Sequence, residues 1–436
     1  MTRSRATRAG TVGVLLAALV SAAVGGAPAT ATAGSPAGAV APTTARAAAT
    51  KLVAVDVAAR AGIAETSTKT WSAAPFDYDR DGLQDVLIGY HPVQKLWRNK
   101  GDGSYEQVAE YAWQRTVTDR HSCAWADVDR NGRPDVYCSA GRGLNNRVKT
   151  ADLDNELWLQ GRNGQFSEVG TDWRAGDRCG RGRTVAFLHA NGDRYPDLFI
   201  GNQRPRRVED DPCDDFPNSE HSKILINQGG SGFRYAPRFF PYGAGPGARC
   251  TEVLDFDGDG WQDLFACRSN RTSGRLYRNK SGKGFRDVSS RHGLEERIND
   301  AAVADIDGDG DPDLVTASPA GFAVHINNDG RLGPRRLIFR VPVGEGVAVA
   351  VGDADGDRDL DVYAMVGNGM MGNPDDRILL NNRLTFKAVR VPAASGAADD
   401  VVVVRRLATR KVDFLALNGY NLQGVGPVQL IRLFRQ

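Results

Sequence analysis

From residue 51 onward the chain alternates short apolar runs with acidic, glycine-bearing loops, and the alternation repeats. The runs are four to eight residues long and rich in Val, Ile, Leu, Phe and Tyr, as in DVLIG, DVYCS and DLFIG. Runs of that length and composition, bounded by turn residues, predict strands rather than helices. The loops between them share one pattern: DYDRDGLQD from Asp77, DVDRNGRPD from Asp127, HANGDRYPD from His189, DFDGDGWQD from Asp255, DIDGDGDPD from Asp305 and DADGDRDLD from Asp353. A stripped seventh version, RRLATRKVD from Arg405, keeps only the last acid, Asp413. Successive starts lie 50, 62, 66, 50, 48 and 52 residues apart, a period that random acidic clustering would not hold.

Each loop is followed by a second signature, as in KLWRNKGDGSYEQV, RLYRNKSGKGFRDV and RILLNNRLTFKAV, which reads as two strands joined by an Asn/Gly turn. One period therefore holds four strands, the content of a propeller blade. The last unit ends at Gln436 without its fourth strand, whereas KLVAVDV at residues 51–57 looks like a fourth strand placed ahead of the first unit. The expected fold is all-β: a seven-bladed β-propeller of four-stranded blades, with the N-terminal strand completing the last blade and so removing an exposed sheet edge. The D-x-D-x-D-G-x-x-D loops, with the L-[WY]-R-N and G-x-F segments after them, resemble the FG-GAP/VCBS repeats of integrin-α-like propellers. The resemblance covers roughly residues 51–436 and implies a secreted, Ca²⁺-bearing propeller. It does not fix a ligand.

The loop chemistry can be read from the residues alone. Five carboxylates in nine positions, as in DIDGDGDPD, repel one another unless a cation lies between them, and Ca²⁺ takes six to eight hard oxygens at about 2.3–2.6 Å. The expected ligand sets are Asp77, Asp79, Asp81, the Leu83 carbonyl and Asp85; Asp127, Asp129, Asn131, the Arg133 carbonyl and Asp135; and Asp255, Asp257, Asp259, the Trp261 carbonyl and Asp263. Two more are Asp305, Asp307, Asp309, the Asp311 carbonyl and Asp313, and Asp353, Asp355, Asp357, the Asp359 carbonyl and Asp361. In this assignment the Asp311 carboxylate points to solvent. Five Ca²⁺ sites are expected, and a sixth, weaker one where His189 leaves only Asn191, Asp193, the Tyr195 carbonyl and Asp197. In the seventh loop Arg405, in the first ligand position opposite Asp413, is expected to replace the ion with a guanidinium. An EF-hand would need a Glu at the twelfth position and flanking helices, and neither pattern is present.

The N-terminus carries Arg3, Arg5 and Arg8 ahead of an apolar segment and small residues, which predicts an export signal over 1–33 and a flexible Ala/Pro/Thr-rich lead-in over 34–50. No later segment is apolar enough to span a membrane. The expected location is therefore secreted, with a monomeric chain and no nucleic-acid partner. Six cysteines suit an oxidising destination. Cys123 and Cys138 flank the second loop, Cys250 and Cys267 the fourth, and Cys179 is left with Cys213; three disulfides within blades are expected.

The formal charge of +2 hides a separation. Without residues 1–33 there are 52 basic against 53 acidic residues, and five bound Ca²⁺ would turn the balance to about +9. Arginines concentrate around the third blade (Arg174, Arg178, Arg181, Arg183, Arg204, Arg206 and Arg207), which suggests an anion-binding face. Trp97, Trp158 and Tyr277 recur at one repeat position and read as packing residues. Trp113, Trp173 and Phe240 fall in connections and are the candidate ligand contacts. No H-E-x-x-H, G-x-S-x-G or P-loop is present, so the expectation is a non-enzymatic binding or adhesion module for an extracellular glycan or protein, possibly anionic in chemistry. The alternatives are a polysaccharide lyase or hydrolase using the loops of blades two and three, and a purely structural scaffold.

Overall fold

Every acidic loop is the turn between the first two strands of a four-stranded antiparallel sheet. The structure is a computed structural model, and it describes residues 51–66, 69–90, 94–108, 120–141, 154–177, 180–203, 221–237, 239–240, 248–268, 273–294, 297–369, 373–406, 409, 411–421 and 424–436. The predicted signal and lead-in, Cys179, Cys213, Trp113, Arg178, Arg204, Arg206 and Arg207 lie outside these residues.

Seven such sheets follow in order, their first strands being Thr70–Phe76, Arg120–Ala126, Gly182–Leu188, Ala248–Leu254, Asp300–Ala304, Glu345–Gly352 and Ala398–Arg405. The seventh is completed by Leu52–Asp56, which pairs antiparallel with Val428–Arg435, Leu52 opposite Arg435 and Asp56 opposite Ile431. The fold is thus the seven-bladed propeller expected from the repeat, closed by its own N-terminal strand.

The second strands carry the apolar runs and are buried on both faces, Asp135–Ala140 and Asp361–Gly367 along their whole length. A blade alone could cover neither face, so neighbouring blades supply the cover. Seven apolar clusters each join two adjacent blades. Leu87 and Leu96 of blade one meet Val136, Trp158 and Phe166 of blade two, and Val86, Ile88 and Trp97 of blade one meet Leu415, Leu417 and Leu430 of blade seven. Trp97, Trp158 and Tyr277 are buried in these interfaces, which is the packing role their recurrence predicts. Phe240 is corrected: it is 6% exposed and packs on Phe199, Tyr277 and Phe285, so it offers no ligand contact. Trp173 is half-buried against Phe233, its carbonyl accepting the Phe233 N–H at 2.7 Å.

Cys123 faces Cys138, and Cys250 faces Cys267, across the first two strands of blades two and four. Both pairs are disulfides, with Cα separations of 4.1 and 5.0 Å.

Candidate metal loops and the channel mouth

The ninth residue of each loop does more than the sequence assigns to it. Asp85, Asp135, Asp197, Asp263, Asp313 and Asp361 are fully buried. One oxygen accepts the N–H of the second loop residue, and the other accepts an N–H of the third strand. For Asp263 these are Phe256 at 3.1 Å and Asn279 at 2.7 Å; for Asp313, Ile306 at 2.9 Å and Asn327 at 2.7 Å. The carboxylate ties loop to strand as well as facing the cluster. Burial raises it: Asp85, Asp135, Asp263 and Asp361 to about 7, Asp197 and Asp313 to about 6.

The third-strand Asn reaches further. Its amide donates to the second loop residue of the preceding blade: Asn227 to Val128 at 2.9 Å, Asn279 to Ala190 at 2.9 Å, Asn327 to Phe256 at 2.7 Å and Asn381 to Ile306 at 3.0 Å, with Gln160 doing the same to Tyr78 at 3.3 Å. Loop, strand and neighbouring blade are therefore fixed by one device.

The remaining acids fold the loop around themselves. The first accepts the N–H of the sixth residue (Gly82 to Asp77 at 3.0 Å, Gly310 to Asp305 at 3.0 Å), and the fifth accepts that of the seventh (Trp261 to Asp259 at 3.0 Å). This wrapping needs left-handed backbone at the fourth and sixth positions, met by Gly308 (φ 82°) and Gly310 (φ 100°) but also by Arg80 (φ 66°), Arg130 (φ 59°) and Arg358 (φ 85°). In the third loop Arg194 at the sixth position is not left-handed and His189 has no carboxylate, and the His189 N–H goes instead to Gln262 of the next blade. The Asp311 carboxylate accepts the Asp329 N–H at 2.7 Å in an exposed bond.

Ca²⁺ chemistry fits these loops on two observations. Asp77–Asp79–Asp85, Asp127–Asp129–Asp135, Asp255–Asp257–Asp259 and Asp305–Asp307–Asp313 each bring three carboxylate oxygens within 4.8 Å of one another. One oxygen each of Asp77, Asp127 and Asp257 is buried with no hydrogen-bond partner, the condition a cation would relieve. A bound ion would cancel the repulsion and cross-link the first two strands. In two blades a guanidinium pairs with carboxylates of the same loop. Arg98 lies 2.8 Å from Asp79 and 3.4 Å from Asp81, and Arg278 lies 2.5 Å from Asp257 and 2.9 Å from Asp259. Blades two, five and six have Leu159, Ile326 and Leu380 in that register.

In blade seven the guanidiniums at Asp413 belong to Arg432, at 2.6 Å, and Arg406, at 3.2 Å. Arg405 is not one of them: its backbone N–H donates to Gln84 and its side chain is exposed. Arg432 occupies the register of Arg98 and Arg278, turned onto the one acid the loop retains.

The opposite ends of the first strands tell a different story. All seven line a central channel holding a cavity of about 710 Å³. Six residues before each loop stand Trp71, His121, Arg183, Arg249, Asn299, Val347 and Asp399, all lining it. In six blades a register shift falls at this position and swings the residue out of the ladder. Blades two to four present a basic arc of His121, Arg183 and Arg249. Blades five and seven present Asp300, Asp399 and Asp400, with Glu252 of blade four beside them. Trp71 stacks on His121 at 4.4 Å, with the Lys69 ammonium 3.6 Å from its ring centre. The Arg183 guanidinium reaches the His121 ring at 2.8 Å and Gln203 at 2.7 Å.

Asp300 and Asp400 each accept an N–H of the next blade, from Val349 at 2.9 Å and Ala73 at 3.1 Å. Burial, reinforced by the neighbouring Asp300 and Asp400, pushes Glu252 up to about 8. Burial likewise lifts Asp300 and Asp399 to about 7 and Asp400 to about 6. The strands leading into the blade-two and blade-three insertions end at this mouth, Ala140 opposite Arg120 and Asn202 opposite Gly182.

Of the predicted basic patch, Arg183 lines the channel, Arg181 sits half-buried just before the same strand, and Arg174 is exposed in a turn. Sequence reasoning missed Trp71, His121, Arg249, Glu252, Asp300, Asp399 and Asp400. The available signal was a count of six back from each loop, where the repeat stops repeating.

Residues 77–138, 255–316 and 305–364 match the FG-GAP-like repeat family. These segments contain the five loops that begin with aspartate and exclude those that begin at His189 and Arg405. No curated protein matches the chain. Among solved structures, a lectin of Agrocybe aegerita described as recognising non-reducing terminal N-acetylglucosamine is 17% identical, over 74% of this chain and 81% of its own, with a TM-score of 0.47. The BBS1N chain solved in complex with ARL6DN is 13% identical over 85% of this chain and 94% of its own, with a TM-score of 0.50, a likeness of fold alone.

Proposed function

We propose that this propeller of FG-GAP-like repeats is an exported, non-enzymatic binding module, with Ca²⁺ structural in the acidic loops and a glycan or protein ligand taken at the opposite channel mouth. The reading keeps residues 1–33 as the export signal, 34–50 as the lead-in and 51–436 as the propeller. One observation carries it. Five of the seven loops are near copies of one another because they serve each blade's own architecture. At the mouth the blades offer an indole, an imidazole, two guanidiniums, an amide, an isopropyl group and a carboxylate at a single repeat position. Diversity at every blade of one ring in a largely repeated molecule suits recognition of an asymmetric ligand. The basic arc facing an acidic arc favours a ligand carrying both charge signs or a row of polar groups. Two disulfides among the described residues accord with an oxidising, extracellular setting. Among the described residues, no helix is long and apolar enough to cross a membrane.

Two measurements test it. Thermal unfolding in Ca²⁺ should lie well above unfolding in chelator, because a ligand confined to the folded state stabilises it; equal melting removes the metal assignment. A glycan and protein array in Ca²⁺ should give retention that Arg249→Ala and Asp399→Ala both weaken. Retention indifferent to both variants would place the ligand elsewhere, and released oligosaccharide would replace binding with catalysis by the raised carboxylates of the channel.

A further inference from the structure

Blade seven departs from the other six in charge as well as in ligand count. Where they carry carboxylates, its loop reads RRLATRKVD, with Arg405 and Arg406 at the first two positions and a single acid at the ninth. The described part of that loop and the Gly101–Gly103 turn of blade one enclose a pocket of about 210 Å³ at the loop end of the propeller, away from the channel mouth. At roughly 30 Å³ per water this is the space of about seven waters.

The electrostatics inside are unbalanced. Arg432 saturates Asp413, its Nε 3.0 Å from both carboxylate oxygens and its Nη2 2.6 Å from Oδ2. Arg406 approaches the same carboxylate at 3.2 Å without hydrogen-bond geometry, and its Nε and Nη2 are buried with no acceptor. Burial and the neighbouring Arg432 both press against its charge, which Asp413 supports only in part. Arg405, an exposed third arginine, also lines the pocket. Asp102, the other acid there, spends one oxygen on the Ser104 N–H and hydroxyl. Gly103 has no Cβ, and one placed there would touch the end of Arg432, 3.8 Å from its Nη2. Buried N–H donors on a cation with no acceptor are costly unless something fills the space, and a planar guanidinium fork suits an oxyanion.

We infer that the pocket between blades seven and one is an oxyanion site, in which Arg406, aided by Arg405 and Arg432, binds a sulfate-like or phosphate-like group. The group is either a free ion or a substituent on a saccharide. A cation site repeated around the ring has thus been inverted in sign in its last copy.

The test is calorimetric titration of the Ca²⁺-loaded full propeller with sodium sulfate at constant ionic strength, and in parallel with N-acetylglucosamine 6-sulfate. Saturable one-to-one binding is expected. It should weaken at least tenfold in Arg406→Gln and stay unchanged in Arg331→Gln, which removes an exposed charge elsewhere. Asp413→Asn takes away the competing carboxylate while keeping its shape, and should tighten binding about threefold. If Arg406→Gln fails to fold by circular dichroism, the direction of the Asp413→Asn change decides. Tighter binding of the sugar sulfate marks a saccharide-borne ligand and tighter binding of sulfate a free ion, and either places the oxyanion in the pocket. No saturable heat from either probe, equal affinity in folded Arg406→Gln, or unchanged or weaker binding in Asp413→Asn overturns the inference.

Discussion

Truncating Asn279 to alanine isolates the bond that joins one blade to the next. Its amide nitrogen donates to the Ala190 carbonyl of blade three at 2.9 Å and to the Gln262 carbonyl at 3.1 Å, and its oxygen accepts the Gly282 N–H at 3.0 Å. The residue is 1% exposed, so water does not readily replace these partners. At about 1 kcal/mol net for each buried neutral hydrogen bond, Asn279→Ala should cost about 3 kcal/mol. Asn99 in blade one provides an internal control. Its side chain bonds the Gln84 carbonyl at 3.1 Å and the Gly101 N–H at 3.0 Å, and among the described bonds none of its own crosses to blade seven. Asn99→Ala should therefore cost about 2 kcal/mol, and the difference of about 1 kcal/mol is the interblade contribution. Urea unfolding monitored by tryptophan fluorescence, in Ca²⁺ and again in chelator, measures both variants. The Asn279 penalty should survive chelation because none of its atoms is a metal ligand. A cost below about 1 kcal/mol for Asn279→Ala, or a larger one for Asn99→Ala, would refute the assignment of the blade junction to this amide.

Three further outcomes follow from the same geometry. Arg98→Leu with Arg278→Leu, matching the aliphatic residues of blades two, five and six, should tighten Ca²⁺ binding two- to fivefold at loops one and four, since partly exposed pairs of this kind are worth roughly 0.2–1 kcal/mol; equilibrium dialysis checks this, and unchanged affinity removes the competition. His189→Asp with Arg194→Gly restores the missing carboxylate and the left-handed sixth position, and should raise the Ca²⁺ count by one in metal analysis of the dialysed protein. The third concerns pH. Glu252, Asp300 and Asp400 have folded pKa values of about 8, 7 and 6, all raised by burial above their unfolded values near 4. The folded state therefore holds protons that the unfolded chain has released, and their stabilising effect is complete below pH 4 and lost as pH rises through 6 to 8. Glu252→Gln should flatten the fall in melting temperature between pH 6 and 8, and an identical slope would contradict the buried cluster.

What the sequence determined was everything that repeats. The nine-residue acidic pattern gave the number of blades, its truncated last copy and the stray strand at residues 51–57 gave ring closure, and the cysteine positions gave the two described disulfides. These are local or periodic properties: strand-forming runs, turn glycines and cross-strand neighbours a few residues apart. The tertiary structure alone decided what depends on convergence. Arg405 is first in its loop by spacing, yet it stands at the exposed wall of the pocket while Arg406 and Arg432 reach Asp413, because Arg432 sits opposite that acid in the strand register. Phe240 reads as a loop aromatic but lies where two blades meet, and burial against Phe199 and Tyr277 claims it. The channel residues come from seven segments spread between Trp71 and Asp399, at a position where no two adjacent blades agree except in the arginines of blades three and four. A search for repetition passes over such a ring, and only closure of the seven first strands around one axis brings it together.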